Sequence, residues 1–348
     1  MNTDLLKSLS EAHGISGKED AVRKVILGAI DGHAQDIRID PMGSITAVKP
    51  SKGEQRKRVM LAAHMDEVGF MVTGVDGDGL VRFTAVGGID DRILPALRVR
   101  VGSDAIPGVI IWTPIHMGRD QNVVKMNSLR IDIGASSKDD ANGKVKVGDM
   151  IIFDSGFAEM SGGMVRGKAL DDRAGCALLV DVLRGGDYPV DVLAAFTVQE
   201  EIGLRGAIVA AQTLQPDLAI VLETTTANDI PNPLADPDSK EELNPTCRIL
   251  GGPVLTVMDR SLIVPPKLLD FARATAEKHG IPYQLKTTPG GGTDGGSIHL
   301  THSGVPTLVI SNPARYIHSP IAFMHGQDYD HALRLIQALL HDLQEFSP

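Results

Sequence analysis

Residues 59–66 read VMLAAHMD, and this stretch decides the fold. Its first five residues form a continuous apolar run, which is typical of a strand buried in a parallel sheet. The run leads directly into His64 and Asp66. The first polar cluster of the chain is therefore expected at the end of a buried strand, where open α/β sheets bind their ligands.

On both sides of this strand the sequence alternates between helical and extended patterns. Apolar residues at helical spacing predict helices over 4–12 and 20–30, before the strand. After residue 166 the patterns predict helices over 172–183, 203–214, 267–279 and 330–344 and strands over 190–198, 218–222 and 306–310. This alternation predicts an α/β fold, with a mostly parallel sheet flanked by helices.

Between residues 67 and 165 the sequence has a different character. Short Val- and Ile-rich runs such as LVRFTAV, LRVRV and PGVIIW are separated by Gly, Pro, Asp and Asn. Such a pattern predicts closely spaced strands and tight turns. We therefore expect an α/β domain formed by residues 1–66 and 166–348 that is interrupted by an all-β domain formed by residues 67–165.

The composition excludes several classes of partner. The formal net charge of −10 repels nucleic-acid phosphates, and no Lys- and Arg-rich stripe offsets it. No stretch reaches the about 18 apolar residues of a membrane helix, and no secretory signal pattern opens the chain. Cys176 and Cys247 lack CxxC spacing and are interpreted as reduced core thiols. Together these features predict a cytoplasmic protein that binds neither nucleic acid nor membrane.

Acidic and imidazole side chains follow several of the predicted strands. They are His64 with Asp66, Glu200 with Glu201, Glu223, and His318, while Asp171 and Asp172 open a predicted helix. Taken singly, each has a structural explanation, such as helix capping by Asp171 or Asp172. Together at one edge of a sheet, the carboxylates would repel one another unless cations lay between them.

The types of side chain in this cluster indicate which ions it would bind. Two imidazoles and three carboxylates suit Zn²⁺, Co²⁺ or Mn²⁺ rather than a thiolate-type structural zinc site. Five protein ligands exceed the needs of one catalytic ion. With one bridging carboxylate they would serve two divalent ions per subunit, about 3.5–4 Å apart. The remaining acid, Glu200 or Glu201, is then free to act as a general base.

Longer segments carry a family resemblance. They are AAHMDEVGFMV at 62–72, RIDIGASSKDDA at 130–141, VRGKALDDRAGCALL at 165–179, TVQEEIGLRGA at 197–207, GGTDGGSIHLTHSGVPTLVIS at 291–311 and RYIHSP at 315–320. The chain resembles the metallo-aminopeptidase family of glutamyl aminopeptidase and the tetrahedral (TET) aminopeptidases, some members of which are labelled endoglucanase M. The resemblance implies a phosphorylase/hydrolase-like catalytic domain, an inserted PDZ-like dimerisation domain, and dimers that build a hollow tetrahedral dodecamer.

The resemblance also implies a division of the metal ligands. His64, Asp171 and Glu223 would hold one ion, and Asp171, Glu201 and His318 would hold the other, with Asp171 bridging. The family often has Asp at the position of Glu223 in this chain, and the extra methylene bears on the geometry of the first ion.

The remaining two site residues receive roles by the same resemblance. Glu200 would be the general base, and Asp66 would orient His64 through its second ring nitrogen. The implied reaction releases N-terminal residues from short peptides. The two ions would acidify a shared water, Glu200 would take its proton, and the hydroxide would attack the scissile carbonyl while one ion binds the substrate's α-amine.

Three other functional classes fit parts of the pattern. A glycoside hydrolase also uses paired acids, but it usually lines its cleft with aromatic side chains, and this chain has 1 Trp, 4 Tyr and 8 Phe. A related dinuclear amidohydrolase, either a deacylase or a carboxypeptidase, would have nearly the same metal cage. A metal-storage or scaffold protein would leave Glu200 without a role.

The glycine-rich stretch 290–296 is a further feature of the sequence. It is not a phosphate loop, because it lacks GxxxxGK[ST] spacing and Asp294 would repel phosphate. A tight turn and the wall of a substrate pocket both explain the stretch, and the resemblance favours the pocket. The preferred N-terminal residue of the substrate is left open by the sequence.

Overall fold

The computed structural model describes residues 1–52, 57–114, 116–117, 122–231, 246–287 and 290–347. The helices are α1 Thr3–Glu11, α2 Asp20–Ile30, α3 Lys138–Asn142, α4 Leu170–Arg184, α5 Arg205–Leu214, α6 Pro266–Lys278, α7 Gly295–Ile298 and α8 Gly326–Asp342. The strands are β1 Gln35–Ile39, β2 Ile45–Lys49, β3 Arg58–His64, β4 Gly69–Val75, β5 Val81–Val86, β6 Arg98–Val101, β7 Ile106–Ile110, β8 Ile131–Asp132, β9 Met150–Phe153, β10 Ala158–Glu159, β11 Met164–Gly167, β12 Asp191–Thr197, β13 Leu218–Thr226, β14 Val254–Thr256, β15 Gln284–Lys286, β16 Thr307–Arg315 and β17 Ala322–His325.

Eleven strands of the described chain form one mixed sheet, in the order β1-β2-β12-β3-β13-β16-β17-β11-β10, with β14 attached to β16 and β15 attached to β14. The central strands β12, β3, β13 and β16 run parallel to one another. The strands on either side pair antiparallel. The α/β fold is confirmed, but the sheet is mixed and not mostly parallel, because outside these four strands only β14 and β15 of the described strands pair parallel. Short connections such as residues 40–44 between β1 and β2 force antiparallel pairing, because a parallel pair needs a long crossover.

The apolar run VMLAA at residues 59–63 occupies the middle of this sheet. Residues 59–63 lie in β3 between β12 and β13, and every one of their side chains is fully buried. Helix α4 packs against β3 and β13, and α5 packs against β12. Full burial of one large aliphatic side chain such as Leu61 contributes about 1.5–3 kcal/mol. The carboxyl ends of the four parallel strands therefore rest on a rigid core.

Residues 69–153 contain a second, separate core. Strands β4-β5-β8-β7-β6-β9 close into a six-stranded barrel. Inside it, the Phe70 ring packs edge-on against Phe83 and Phe153, with centroid distances of 5.2 and 5.6 Å. The next strands along the chain, β10 and β11, pair in the main sheet. The closely spaced strands that the sequence predicts in this region thus form a barrel, which is inserted in the chain after β3.

Two expectations drawn from the composition concern helices and thiols. Among the described residues, no helix combines the length and the apolar character that crossing a bilayer requires. Cys176 and Cys247 are both buried and are not joined to each other. Cys176 donates a hydrogen bond to the carbonyl of His64 at 3.1 Å, so it acts as a packing residue behind β3.

Candidate metal centre

The predicted site residues meet at the carboxyl ends of the parallel strands. His64 is the last residue of β3, and Glu223 lies in the neighbouring strand β13. Glu200 and Glu201 occupy the turn after β12, where the positive φ of 58° at Gln199 redirects the chain.

Two further segments complete the cluster. Asp171 lies in the first turn of α4, at a position with non-helical φ and ψ. His318 follows β16 and has a φ of 57°. Left-handed backbone is uncommon for a residue with a β-carbon and is concentrated at functional sites. The surrounding fold therefore imposes the direction of the His318 side chain.

Three groups of three side chains bring possible ligand atoms together, and two of them share Asp171. The Nε2 atom of His64 lies 3.4 Å from Asp171 Oδ1 and 3.5 Å from Glu223 Oε1. The Nε2 atom of His318 lies 3.3 Å from Asp171 Oδ2 and 3.5 Å from Glu201 Oε1. Within each group these atoms lie within 4.8 Å of one another. Asp171 thus presents one carboxylate oxygen to each imidazole.

Both groups that share Asp171 have the spacing and chemistry of a divalent-cation site. Ligands about 2.1 Å from an ion, in tetrahedral directions, are about 3.4 Å from each other. The separations between imidazole and carboxylate atoms match this value. The buried Oε2 atom of Glu223 has no hydrogen-bond partner among the described residues. A cation would satisfy that oxygen, so the residues present fit a pair of divalent ions.

Glu200 belongs to the same cluster but lies outside both ligand groups. One of its carboxylate oxygens, together with atoms of His64 and Glu201, meets the same 4.8 Å spacing. Burial raises the pKa of Glu200 well above its ordinary value, and the neighbouring Glu223, Asp294 and Glu201 act in the same direction. In the ion-free cluster the Glu200 side chain therefore favours its protonated form.

The other acids of the cluster also favour their protonated forms when no cation is bound. Burial raises the pKa of Glu201 to about 8 and that of Glu223 to about 7. Burial opposes charge on His64, but the Glu223 carboxylate and the bond to Asp171 outweigh it and raise the pKa of His64 well above its usual range. Protons thus hold the charge balance that bound cations would take over.

Asp66 supports the centre from beneath and is fully buried. His64 Nδ1 lies 3.0 Å from the backbone carbonyl of Asp66 and 3.5 Å from its Oδ1 atom. A proton on Nδ1 would leave Nε2 free to bind a metal ion. The Asp66 carboxylate also accepts the backbone N–H groups of Glu200 at 3.0 Å and Glu201 at 3.2 Å. The sequence did not predict this second role, in which Asp66 fixes the turn that carries both acids.

The two consecutive aspartates at the start of α4 have different surroundings. Asp172 accepts the N–H of Gly175 at 3.0 Å, as a capping residue does, and it also accepts the N–H of His64 at 3.3 Å. Asp171 is the one that faces the imidazoles. The sequence left open whether these aspartates cap the helix or bind a ligand. In the structure Asp172 makes the capping bond and Asp171 faces the imidazoles.

The segment that follows barrel strand β5 also reaches the site. His318 Nδ1 lies 2.9 Å from the carbonyl of Gly88, 230 residues away along the chain. This contact orients the His318 ring in the way that Asp66 orients His64. No pattern in the sequence points to Gly88, because its carbonyl, and not a side chain, makes the contact.

A cavity of about 860 Å³ opens onto the centre and is lined in part by the glycine-rich stretch 290–293. Asp294, directly after it, is buried and accepts a 2.5 Å hydrogen bond from the Thr197 hydroxyl through Oδ2. Its Oδ1 atom has no partner among the described residues, and burial raises its pKa to about 6. The stretch thus forms a wall of the pocket, as the resemblance favoured.

Comparison with known proteins agrees with this geometry. Residues 43–335 match the family model described as M42 glutamyl aminopeptidase. A putative aminopeptidase of Acetivibrio thermocellus is 37% identical over 96% of each chain. The lysyl aminopeptidase of Pyrococcus furiosus is 33% identical over 99% of each chain. The glutamyl aminopeptidase of Lactococcus lactis is 31% identical over 98% of this chain and 96% of its own.

Solved structures resemble the whole chain. A TET aminopeptidase from the marine sediment archaeon Thaumarchaeota archaeon SCGC AB-539-E09 has a TM-score of 0.90 and 35% identity, covering 98% of this chain and 97% of its own. The Pyrococcus horikoshii TET1 peptidase, described as able to assemble into a tetrahedron or a large octahedral shell, has a TM-score of 0.85 and 34% identity, covering 98% and 99%. The sheet and the barrel therefore recur together in these proteins.

Proposed function

The chain belongs to the M42 glutamyl aminopeptidase family, and from that premise we propose that it is a dinuclear metallo-aminopeptidase that releases N-terminal residues from short peptides. Aminopeptidase activity follows from the family and from relatives that match nearly end to end. The observation that carries the two-ion proposal is the position of Asp171, whose two carboxylate oxygens face two different imidazoles.

Five side chains would hold the two ions. His64, Asp171 and Glu223 would bind the first, and Asp171, Glu201 and His318 would bind the second. Imidazole and carboxylate ligands suit Zn²⁺, Co²⁺ or Mn²⁺. When bound, the ions would supply an acidified water and a polarised scissile carbonyl.

Glu200 would carry the proton in this reaction. Its carboxylate would accept a proton from the attacking water and return it to the nitrogen of the leaving amine. The position of Glu200 supports this role, because one of its carboxylate oxygens lies in the cluster with His64 and Glu201, whereas the two ions would be held by the other five side chains. Asp66 would hold Glu200 in place through the backbone N–H and would orient His64.

The charge of the centre supports action at a free N-terminus. With both ions bound, Glu200 is the acid of the cavity lining that the ions leave unneutralised, and its carboxylate would attract the ammonium group of a peptide. An N-acylated substrate lacks this charge. A deacylase or carboxypeptidase with the same metal cage would not discriminate in favour of the free amine, so substrate choice separates the two classes.

The test is an assay of metal-stripped protein reloaded with Zn²⁺, Co²⁺ or Mn²⁺. We expect the stripped protein to be inactive and the reloaded protein to cleave aminoacyl p-nitroanilides and dipeptides but not their N-acetylated counterparts. Faster cleavage of the acetylated substrates would assign the site to an amidohydrolase. Full activity after metal removal would exclude the metal-dependent mechanism altogether.

We further propose the domain roles and the assembly. The main sheet and its helices would form the catalytic domain, and the barrel over residues 69–153 would form a PDZ-like dimerisation domain. Of the predicted insert 67–165, strands β10 and β11 would belong to the catalytic side, because they pair in the main sheet. The exposed apolar side chains of Trp112, Val123 and Val124 support an interface in the barrel domain. By analogy with the TET structures, dimers would assemble into a tetrahedral dodecamer. A cytoplasmic location stays a prediction from the composition.

A further inference from the structure

The cavity that opens onto the metal centre has a second charged end of opposite sign. Its acidic end contains Asp171, Glu200, Glu201 and Glu223, whereas its other charged lining residues are Lys286, on β15, and Arg260. This distribution is unexpected in a chain with a net charge of −10. The positively charged side chains of Lys286 and Arg260 create a local positive potential in a protein whose net charge is negative.

Lys286 has no acidic partner that would account for its position. The half-buried ammonium group donates a 2.9 Å hydrogen bond to the Thr225 hydroxyl. Within the part of the chain that the structure describes, no carboxylate lies within 4.0 Å of it. An ammonium has three protons to donate. Lys286 therefore keeps donors available for an anion that enters the cavity.

Arg260 also lines the cavity and is exposed. Its guanidinium group makes no ion pair or hydrogen bond with the described residues, so it is also available to an incoming anion. Exposed charges are weakened by solvent and salt more than half-buried ones. Lys286 is therefore the stronger determinant, and Arg260 adds to the field at the rim.

The uncharged part of the cavity lining is mostly polar. It carries the hydroxyl-bearing side chains of Thr224, Thr225, Thr226 and Thr256, whereas its aliphatic side chains are Leu204 and Ile317. A pocket for a large apolar side chain would be lined mostly by apolar residues. The polar lining therefore disfavours a substrate whose N-terminal residue is aliphatic or aromatic. The positive charges of Lys286 and Arg260 disfavour a basic N-terminal residue.

The distance between the two ends fits one side chain. Glu223 and Thr225 are two residues apart in β13, so they face the same side of the sheet and are about 7 Å apart along the strand. Thr225 holds the Lys286 ammonium. A residue whose α-amine lies beside Glu223 can thus extend its side chain along the strand towards Lys286.

From these observations we infer that Lys286 is the specificity determinant for an acidic N-terminal residue, so that the enzyme removes Glu or Asp in preference to other residues. The inference rests on the proposed aminopeptidase function and deepens it. The names of the relatives do not decide the point, since similarly distant ones are called lysyl and glutamyl aminopeptidase. The carboxylate of the substrate side chain would accept hydrogen bonds from Lys286, with Arg260 contributing longer-range attraction.

The test compares p-nitroanilides of Glu and Gln, which have nearly the same shape and differ in charge. Metal-loaded wild-type protein is expected to show a higher kcat/KM for Glu than for Gln, Leu and Lys. In Lys286→Met the ratio of kcat/KM for Glu to that for Gln should fall about 10- to 100-fold, the effect expected for a hydrogen bond to a charged group. An unchanged ratio would overturn the inference.

Three further variants separate charge from fold. Lys286→Arg should restore most of the preference for Glu, and Lys286→Glu should shift the preference towards the Lys substrate. Lys24→Met is the matched control, because Lys24 is an exposed residue of α2 outside the cavity and its loss changes the net charge equally. This control should keep the wild-type ratio, and a fall as large as that in Lys286→Met would refute the local role of Lys286.

A second source of carboxylate is the C-terminus of a short peptide. The p-nitroanilides lack it, so a Glu preference among them cannot come from that group. If Lys286→Met left the anilide ratio unchanged but slowed free-acid dipeptides relative to their amides, Lys286 would recognise the C-terminus and the inference would be wrong. If metal-loaded protein cleaved no p-nitroanilide or dipeptide at all, the proposed function itself would fail, which is a distinguishable result.

Discussion

The carboxylate of Glu67 and those of the metal centre have opposite electrostatic surroundings. Glu67 is 2% exposed, and its Oε1 atom accepts hydrogen bonds from Lys168 at 2.6 Å and Arg173 at 3.3 Å. Glu223 is 5% exposed, and its charged neighbour is the imidazole of His64. In the described chain, neither Lys nor Arg forms an ion pair with Glu223, Glu200 or Glu201.

The difference shows how the fold separates structural acids from functional ones. Burial of an unpaired carboxylate is costly, so an acid that only stabilises the structure is given its cations by the chain itself. Even there the cost is visible, because burial lowers the pKa of Lys168 to about 8. Acids left without such partners need a counter-charge from outside the chain, and this requirement identifies the metal centre.

The largest effect should come from the acid that neither cations of the chain nor metal ions neutralise. In Glu200→Gln the side chain keeps its size and loses its proton-accepting oxygen, so kcat should fall about 10²- to 10⁴-fold. Metal content, measured by elemental analysis, should stay at two ions per chain. Near-normal turnover in this variant would show that Glu200 is not the base.

The paired acid should behave in the reverse manner. Glu67→Gln leaves Lys168 and Arg173 buried without their counter-charge, and loss of one partner of a buried pair costs 3–5 kcal/mol in general. We expect about 3 kcal/mol in the free energy of unfolding, since Arg173 keeps its bonds to the carbonyls of Met65 and Gly14. Denaturant unfolding measures this change.

A matched control for this variant is Asp270→Asn on α6, which breaks the exposed pair with Arg273. It should cost no more than about 0.5 kcal/mol. The metal content of Glu67→Gln should be normal. A loss of metal in Glu67→Gln with unchanged stability would reverse the assignment of the two groups of acids.

Part of this contrast could be predicted from the sequence. Apolar runs that end in His64, Glu201 or Glu223 indicate both a buried strand and a polar strand end, because the period of burial and the change of residue type are local patterns. Helix α6 was predicted over 267–279 and is observed at Pro266–Lys278. Local periodicity fixes such elements to within a residue or two.

The rest depends on contacts between distant residues. Glu67 resembles any acid after a strand, and its pairing with Lys168, 101 residues away, leaves no local pattern. The same holds for the carbonyl of Gly88 beside His318. The antiparallel edges of the sheet were missed because β1 lies largely exposed, so its residues lack the apolar run that marks β3.

Metal removal should make the stability of the protein depend on pH. In the ion-free cluster the pKa values of Glu223, Glu201 and His318 are raised to about 7, 8 and 9. A group whose pKa is raised by folding contributes its full stabilisation at pH values below its pKa in the unfolded state. It loses that contribution as the pH rises through its pKa in the folded state. The pKa of Asp171 is lowered, so its contribution to stability is fully present above its unfolded pKa and changes only at acidic pH. The metal-free protein should therefore become less stable between pH 5 and 9.

Bound ions should relieve this loss, because they replace the protons. At about 100 times the dissociation constant, metal binding adds about 2.7 kcal/mol to stability. Calorimetric melting at pH 6 and pH 9, with and without Zn²⁺, measures the effect. The increase in Tm should be larger at pH 9, where fewer protons compete for the ligands. Equal melting temperatures of the metal-free protein at the two pH values would contradict the account.

The smallest effect concerns Asp66, which belongs to neither group because its charge is satisfied by backbone N–H groups and by Ser16. Asp66→Asn replaces one accepting oxygen by an amide nitrogen, so either the turn carrying Glu200 and Glu201 or the bond from Ser16 must be lost. Supporting residues of this kind change metal affinity or activity about 10- to 100-fold. We expect weaker metal binding in a titration and a lower kcat at saturating metal, with two ions still bound. Ser16→Ala removes one bond and keeps the charge, so it should lower kcat less than tenfold. If Asp66→Asn bound metal and turned over like the wild type, the turn would be held by the chain alone, and Asp66 would have no positioning role.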